Sequence, residues 1–165
     1  MAATISNLRS NEQTLAAVVV LHAVATLVMV GLIWTVQGVH YPLFENVGAD
    51  AYPDYQSRHV DQIGYVLALP WSLEGVSIAA LLVLAKRGTM RILAIVGAAL
   101  MGLILVVTAI WAAPVHGELL DGFDAEQHDT LMTSNLIRSL LWTARGAVAT
   151  AMVWLLLDPA RRPTP

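Results

Sequence analysis

The 165-residue chain contains no cysteine, and only 13% of its residues are Asp, Glu, Lys or Arg. The missing cysteine excludes a disulfide-stapled secreted domain, thiol catalysis, thiolate metal sites and iron–sulfur clusters. The scarcity of charge excludes a disordered chain and a nucleic-acid-binding protein. Apolar residues make up 57% of the chain. A soluble core of this length could not bury that excess.

Charge is missing in long continuous runs. No charged residue occurs from Gln13 to Phe44, and none occurs from Ile92 to Gly117. Each gap exceeds the roughly 20 residues that cross a bilayer as a helix. Two further apolar segments, 62–85 and 131–157, are long but interrupted. The charged residues inside them are Glu74, Arg138 and Arg145.

These runs predict an all-α membrane protein, a bundle of four transmembrane helices forming one domain over residues 1–157. The predicted spans lie near 14–37, 62–85, 91–113 and 133–157. Residues 38–61 are predicted to form an external lid or interfacial loop, and residues 158–165 a cytoplasmic tail. A cleaved signal peptide is the competing interpretation of the first run, but its apolar stretch continues a dozen residues past Ala23-Val24-Ala25, which favours a retained helix.

The remaining charges separate by side. Basic residues occupy the N-terminus, the middle loop and the C-terminus: Arg9, Lys86, Arg87, Arg91, Arg161 and Arg162. The other two loops contain nine acids and one basic residue, Arg58: Glu45, Asp50, Asp54, Asp61, Glu118, Asp121, Asp124, Glu126 and Asp129. The positive-inside rule then predicts a multi-pass protein of the bacterial inner membrane, with both termini cytoplasmic and the acidic loops external.

The two halves of the chain resemble each other. Residues 69–75 (LPWSLEG) match residues 140–146 (LLWTARG), and shorter Ile-Trp and Val-His matches precede them in the same order. This pattern predicts a duplicated two-helix unit whose halves are related by an axis along the membrane normal. Such an axis brings equivalent positions together, so Glu74 is expected to approach Arg145 near the centre of the bundle.

Glu74, Arg145 and His22 are predicted to lie at similar depths in the membrane, from the 1.5 Å rise per helical residue. An unpaired charge at that depth costs at least a few kcal/mol. We therefore expect a buried Glu74–Arg145 pair with His22 as a third member. Two interpretations of it stay open: a catalytic or proton-relay site, or a pair that only fixes helix packing.

Four of the five histidines are predicted at the external ends of helices: His40, His59, His116 and His128. Imidazoles with nearby carboxylates suit a transition metal such as iron, copper or zinc. Haem would need two facing axial histidines, for which His40 and His116 are the natural candidates. The alternative is that all four are surface histidines in acidic loops.

Two polar stripes follow helical spacing and are predicted to face the bundle interior. The first comprises His22, Thr26, Met29, Ile33, Gln37 and His40, and the second comprises Asn135, Arg138, Trp142 and Arg145. Together they could line a cavity that opens externally and ends near Glu74. With Trp71 and Trp142 as walls, and Gln37 and Asn135 as polar groups, it would suit an anionic or quinone-like, partly apolar molecule.

Three segments carry a family resemblance: Trp34-x-x-Gln37-x-x-His40-Tyr41-Pro42-Leu43-Phe44, Pro114-x-His116-x-x-Leu119, and Asn135-Leu136-Ile137-Arg138-Ser139-x-x-Trp142-Thr143-x-Arg145. They resemble a family of small four-span bacterial membrane proteins. That group is in turn distantly similar to the anthrone oxygenase-like membrane family. The second resemblance implies oxidation of an aromatic, quinol-like substrate, and it assigns no catalytic residue in this chain.

Two classes of function follow from these patterns. The first is a membrane oxidoreductase or oxygenase, metal-dependent or acid–base, acting on a lipophilic substrate. Its candidate catalytic groups are Glu74, Arg138, Arg145 and His22. The second is a small transporter, metal-binding component or accessory subunit. The lipid bilayer is the expected partner in both classes, and the short chain favours a homo-oligomer or an accessory role.

Overall fold

A computed structural model describes the backbone of residues 2–158 and the side chains of residues 11–158. Within that part the chain is helical, with α1 (Ala2–Thr35), α2 (Tyr52–Leu84), α3 (Gly88–Val107), α4 (Ala113–Glu118) and α5 (Ala125–Leu157). Short π-helical turns lie at Val36–His40 and Thr108–Ala112, and 3-10 turns at Tyr41–Asn46, Ala49–Ala51 and Leu119–Asp121. The predicted tail after Asp158, and the side chains of Arg9, Arg161 and Arg162, lie outside the described residues.

Four helical segments are long and apolar enough to cross a membrane. They run over Asn11–Asn46, Ala49–Leu84, Gly88–Asp121 and Ala125–Leu157. α1 packs between α2 and α5, while α3 packs against α5 and, less extensively, α2. Within the described residues the chain is therefore a bundle of four long helices.

The helices extend beyond the predicted spans because an apolar run marks only the part that must avoid water. Most of the predicted lid at 38–61 is helical: it comprises 3-10 turns and the first turns of α2. Pro53 lies in the first turn of α2, where its missing N–H costs no hydrogen bond. α5 likewise begins eight residues before its predicted span, at an N-cap where the Asp124 carboxylate accepts from the Gln127 N–H at 2.8 Å.

Both π-helical turns end two residues before a proline. Pro42 and Pro114 have no N–H to donate, and the residue before each bonds five positions back: Tyr41 N–H to Val36 O, and Ala113 N–H to Thr108 O. A π turn adds one residue and so rotates the next part of the helix by about 100°. As a result Tyr41 points into the bundle and is 4% exposed, while His40 is only half-buried.

Small residues allow the helices to approach closely. A Cβ added at Gly97 on α3 would lie 3.2 Å from Ile78 on α2, and one added at Gly146 on α5 would lie 3.2 Å from Val30 on α1. Close approach at glycine is the usual basis of helix packing in membranes, where lipid tails remove the hydrophobic driving force.

An aromatic cluster closes one end of the bundle. Phe44 is fully buried there, with its ring centroid 5.4 Å from that of His40 and 5.1 Å from that of His59. Tyr41 and Tyr52 complete the buried aromatic set. Because these rings pack directly against the histidines, we call this end of the bundle the histidine end.

Replacing Phe44 with Ala should lower the free energy of unfolding by about 3–5 kcal/mol, since it removes a fully buried ring. Leu43 precedes it and is 54% exposed, so Leu43→Ala is the matched control and should change stability little. Unfolding of the purified protein in detergent, followed by circular dichroism, measures both. Equal losses in the two variants would contradict the packing of Phe44 at the histidine end.

Candidate functional site

A buried polar network crosses the middle of the bundle. Glu74 on α2 is completely buried and bonds through one carboxylate oxygen to the Arg145 guanidinium on α5. Its other oxygen accepts from the Thr26 hydroxyl on α1. His22 Nδ1 lies 3.7 Å from Glu74 and 3.0 Å from the Ser77 hydroxyl oxygen. The structure thus brings together the three residues that the sequence pairs by depth, Glu74, Arg145 and His22.

Arg145 ties the network to the remaining long helix. Its guanidinium also donates to the backbone carbonyl of Gly97 on α3. The same group lies 5.4 Å from the ring centroid of Trp142, within cation–π range. Arg145 thus bonds α5 to α2 and α3, and Thr26 bonds α1 to the same Glu74 carboxylate. These contacts join all four long helices at one level. Breaking the ion pair would leave a charge uncompensated in a dry interior.

An apolar layer separates this network from the histidine end. Met29 and Ile33 of α1, Met101 and Ile104 of α3, and Trp142 of α5 pack together and are buried. The predicted cavity reaching from the external face to Glu74 is therefore filled at this level. The Trp142 side chain packs in the core of this layer, and the partly buried Trp71 side chain packs against it.

Three histidines lie close together at the histidine end, on the side of the apolar layer away from Glu74. His40 Nε2 lies 2.9 Å from His59 Nδ1, and the ring centroid of His59 lies 5.2 Å from that of His116. His116 Nε2 contacts the Tyr41 hydroxyl at 2.8 Å, and its Nδ1 accepts from the Gln56 amide at 3.0 Å. We call His40, His59, His116 and Tyr41 the histidine chain.

The hydrogen bonds of His116 define its tautomer. The Gln56 amide nitrogen can only donate, so His116 Nδ1 accepts and Nε2 carries the proton of the neutral ring. Nε2–H therefore donates to the Tyr41 hydroxyl oxygen. The Arg138 side chain lies near the same tyrosine, since both residues line one small cavity. The Tyr41 hydroxyl therefore has the His116 Nε2–H as a donor and the Arg138 side chain as a cationic neighbour.

His128 plays a different part from the other predicted rim histidines. Its Nε2 lies 2.8 Å from the backbone carbonyl of Tyr41, and because a carbonyl only accepts, that nitrogen must carry its proton. The ring also packs against Phe123 and Phe44, at centroid distances of 5.4 and 6.3 Å. His128 is therefore placed to anchor the turn that positions Tyr41.

The carboxylates predicted near the rim remain on the surface. Asp61, Glu118 and Asp129 are all exposed. Among residues 11–158, no group of three or more His, Asp or Glu side chains is arranged to hold a metal ion.

Two further candidate polar residues, Asn135 and Arg138, lie on α5 and are buried. The Asn135 amide donates to the Gln37 side-chain carbonyl oxygen at 2.8 Å, and this bond joins α5 to the π turn Val36–His40. Arg138 lies one turn further along α5 and borders a small cavity of about 20 Å³ together with Met29, Ile33 and Tyr41.

A larger pocket opens beside the histidine chain. Its volume is about 300 Å³ and it lies between the end of the first span and the start of α2. The lining residues are His40, Tyr55, Arg58, His59, Gln62, Ile63 and Val66. The lining thus combines two histidines with the polar side chains of Tyr55, Arg58 and Gln62 and the apolar side chains of Ile63 and Val66.

One residue of the pocket lining, His59, has a buried polar atom, Nε2, without a hydrogen-bond partner. In the described part of the chain the other such atoms lie outside the lining: Tyr52 Oη, Gln56 Oε1, Asn135 Oδ1, Arg138 Nε and Arg145 Nε. Such atoms are rare in folded proteins because each costs about 1–3 kcal/mol. The free Nε2 of His59 is therefore the polar atom of the pocket that a ligand could satisfy.

Sequence reasoning missed two contributors, Tyr41 and Gln56. Gln56 precedes His59 by three residues on α2, a spacing that places both on one helical face. That spacing was a usable signal. Tyr41 had no such signal, since it reaches the interior only through the π turn before Pro42.

Comparison with known protein families, with curated proteins and with solved structures finds no match to this chain.

Neutralising either member of the central pair should destabilise the protein by about 3–5 kcal/mol, since each change leaves a buried charge alone. The variants are Glu74→Gln and Arg145→Met, and the double variant should lose less than the sum of the two. Unfolding in detergent measures all three.

The matched control for this pair is Arg58–Asp54, with N···O 2.9 Å and both side chains more than 70% exposed. Breaking it with Arg58→Met should cost at most about 1 kcal/mol. Strict additivity of the Glu74 and Arg145 variants would contradict a direct interaction between them.

Proposed function

We propose that the chain is a multi-pass membrane oxidoreductase of the oxygenase type, binding a lipophilic, quinol-like aromatic molecule at the histidine end. The observation that carries this proposal is the histidine chain, which runs from His40 to Tyr41 beside the pocket of about 300 Å³. The resemblance to the anthrone oxygenase-like membrane family supports the same reaction class. That class needs a base beside a cavity that admits an aromatic ring, and His40 beside the pocket supports this assignment.

The chemistry expected of the histidine chain is proton transfer. When dioxygen oxidises an aromatic CH₂ to a carbonyl, one oxygen atom enters the product and the other leaves in water. A base must first take a proton from the ring system so that dioxygen can add to the resulting anion. His40 lines the pocket and contacts His59, so it is suited to that role. Electrons pass from substrate to dioxygen, which is the co-substrate.

His59, His116, Tyr41 and Arg138 are suited to support the anion and its proton. The contact between His40 and His59 offers the abstracted proton a route inward. Arg138 supplies fixed positive charge beside the Tyr41 hydroxyl. Gln37 and Asn135 hold α5 against the first span at this level.

We propose a positioning role for the Glu74–Arg145 pair and for His22. The pair is buried beneath the apolar layer of Met29, Ile33 and Trp142, away from the pocket. It fixes α2 relative to α5, and those helices carry His59 and Arg138 respectively. This favours the packing interpretation over a proton relay.

A second candidate function is transition-metal binding by His40 and His59. The observation in its favour is the 2.9 Å approach of His40 Nε2 to His59 Nδ1, close to the spacing of two imidazole nitrogens on one ion. Iron, copper or zinc would suit such nitrogen ligands. Elemental analysis of purified protein distinguishes the two candidates, since stoichiometric metal lost in His40→Ala would favour the second.

The orientation is also a proposal: the histidine end faces outward from a bacterial inner membrane and both termini are cytoplasmic. The clustering of Lys86, Arg87 and Arg91 at the opposite end, against the acidic residues near the pocket, supports it.

We further propose that the bundle arose by duplication. The matched segments 69–75 and 140–146 support this, since Glu74 and Arg145 occupy equivalent positions in them.

A tail-less quinone or anthrone should bind the purified protein, and His40→Leu and His59→Leu should each weaken binding about tenfold, the effect of one lost hydrogen bond. Isothermal titration calorimetry in detergent measures this. The control is Tyr65→Leu, because Tyr65 is 83% exposed and does not line the pocket. A folded protein that binds neither ligand would favour the transporter or accessory-subunit alternative.

The absence of natural cysteines makes the orientation directly measurable. A membrane-impermeant maleimide added to intact spheroplasts should label Glu126→Cys, at the start of α5, without permeabilisation. Lys86→Cys, in the α2–α3 loop at the opposite end, should be labelled only after permeabilisation. Both positions are exposed, so reactivity itself should not differ. The reverse labelling pattern would overturn the proposed orientation.

A further inference from the structure

A long apolar groove runs along the outside of the bundle between α1 and α2. Its volume is about 360 Å³. The lining residues are Leu21, Val24, Ala25, Val28, Leu32, Val66, Leu69, Pro70 and Leu73. Among residues 11–158 no charged or polar side chain lines it, in contrast to the pocket at the histidine end.

The groove and the pocket are parts of one surface. Val66 lines both. On α2 the lining residues of the two follow each other at helical spacing from Tyr55 to Leu73, which places them on a single face. On α1 the groove covers Leu21–Leu32, a length of about 16 Å at 1.5 Å per residue. A polar compartment therefore continues directly into an apolar channel that descends toward the membrane centre.

This asymmetry matches a ligand with a polar head and a single apolar tail. We propose that the substrate is a reduced, anthrone- or quinol-type aromatic molecule carrying an isoprenoid tail, with its ring at His40 and His59 and its tail in the α1–α2 groove; the quinone form is its unreactive analogue. The proposal rests on the proposed function and names the substrate class for that same site. Because the groove faces the lipid, such a molecule enters laterally from the bilayer.

The charges at the pocket favour a neutral head over a phospholipid. Arg58 is the one lysine or arginine among the residues lining the pocket, and its guanidinium is paired with Asp54 at 2.9 Å. A phosphate would therefore have to compete with a carboxylate. A quinone carbonyl or quinol hydroxyl needs only the hydrogen-bonding groups of His40, His59 and Gln62.

The test uses a benzoquinone whose isoprenoid tail ends in a photoreactive diazirine, added to the full-length protein in lipid nanodiscs. Crosslinks located by mass spectrometry should fall on residues 21–32 and 66–73. Excess tail-less benzoquinone should suppress them by displacing the head. Leu69→Trp fills the groove from α2, and Val28→Trp fills it from α1. Each should reduce the crosslink yield at least about tenfold, because about two methylenes of the tail would no longer be buried.

Leu103→Trp on α3 is the matched control, because Leu103 is 52% exposed and lies outside the groove. It should leave the yield unchanged, and all three variants should keep the parent unfolding midpoint and bind tail-less quinone normally. Two results would overturn the tail site and leave the proposed function standing, provided that the head still binds. The first is crosslinks spread over α3 and α5, and the second is a crosslink yield that neither groove variant changes. Failure of the tail-less quinone to bind at all would overturn both. Phospholipid retained by the parent and lost in Leu69→Trp, with no quinone crosslink in the groove, would also overturn the tail site.

Discussion

The ion pair between Glu74 and Arg145 is the interaction on which the arrangement of this bundle depends. A buried charge is costly in a membrane interior, and these two are acceptable only because they meet and find further partners. Thr26 on α1 donates to the carboxylate, and the guanidinium donates to the Gly97 carbonyl on α3. All four long helices are thus held in one rotational register at this level.

That register decides what the helices present further along. Arg138 lies two turns from Arg145 on α5, and His59 lies about four turns from Glu74 on α2, so both face inward at the histidine end. The apolar layer around Met29 and Trp142 keeps the two polar levels apart. One level is closed and suited to holding helices, whereas the other adjoins a pocket and is suited to chemistry.

The proposed activity follows from the contrast between those levels and from the surface outside them. Histidines that contact one another, a tyrosine bonded to one of them, and the unpartnered Nε2 of His59 occur at or beside an opening of about 300 Å³. An apolar groove extends from the same opening along the lipid-facing side. A lipophilic molecule with a polar ring would satisfy both compartments at once.

The sequence by itself determined the four apolar helices, because charge-free runs of that length have few other stable environments. It also indicated the Glu74–Arg145 contact, since the matched segments 69–75 and 140–146 place the two at equivalent positions. Only the tertiary structure decided the rest of the site. The π turn before Pro42 rotates Tyr41 inward, and side chains such as Trp142 fill a space that the polar stripes suggested was a cavity. Helical spacing predicts which face of a helix is polar, but the partners of that face depend on rotation and packing between helices distant in sequence.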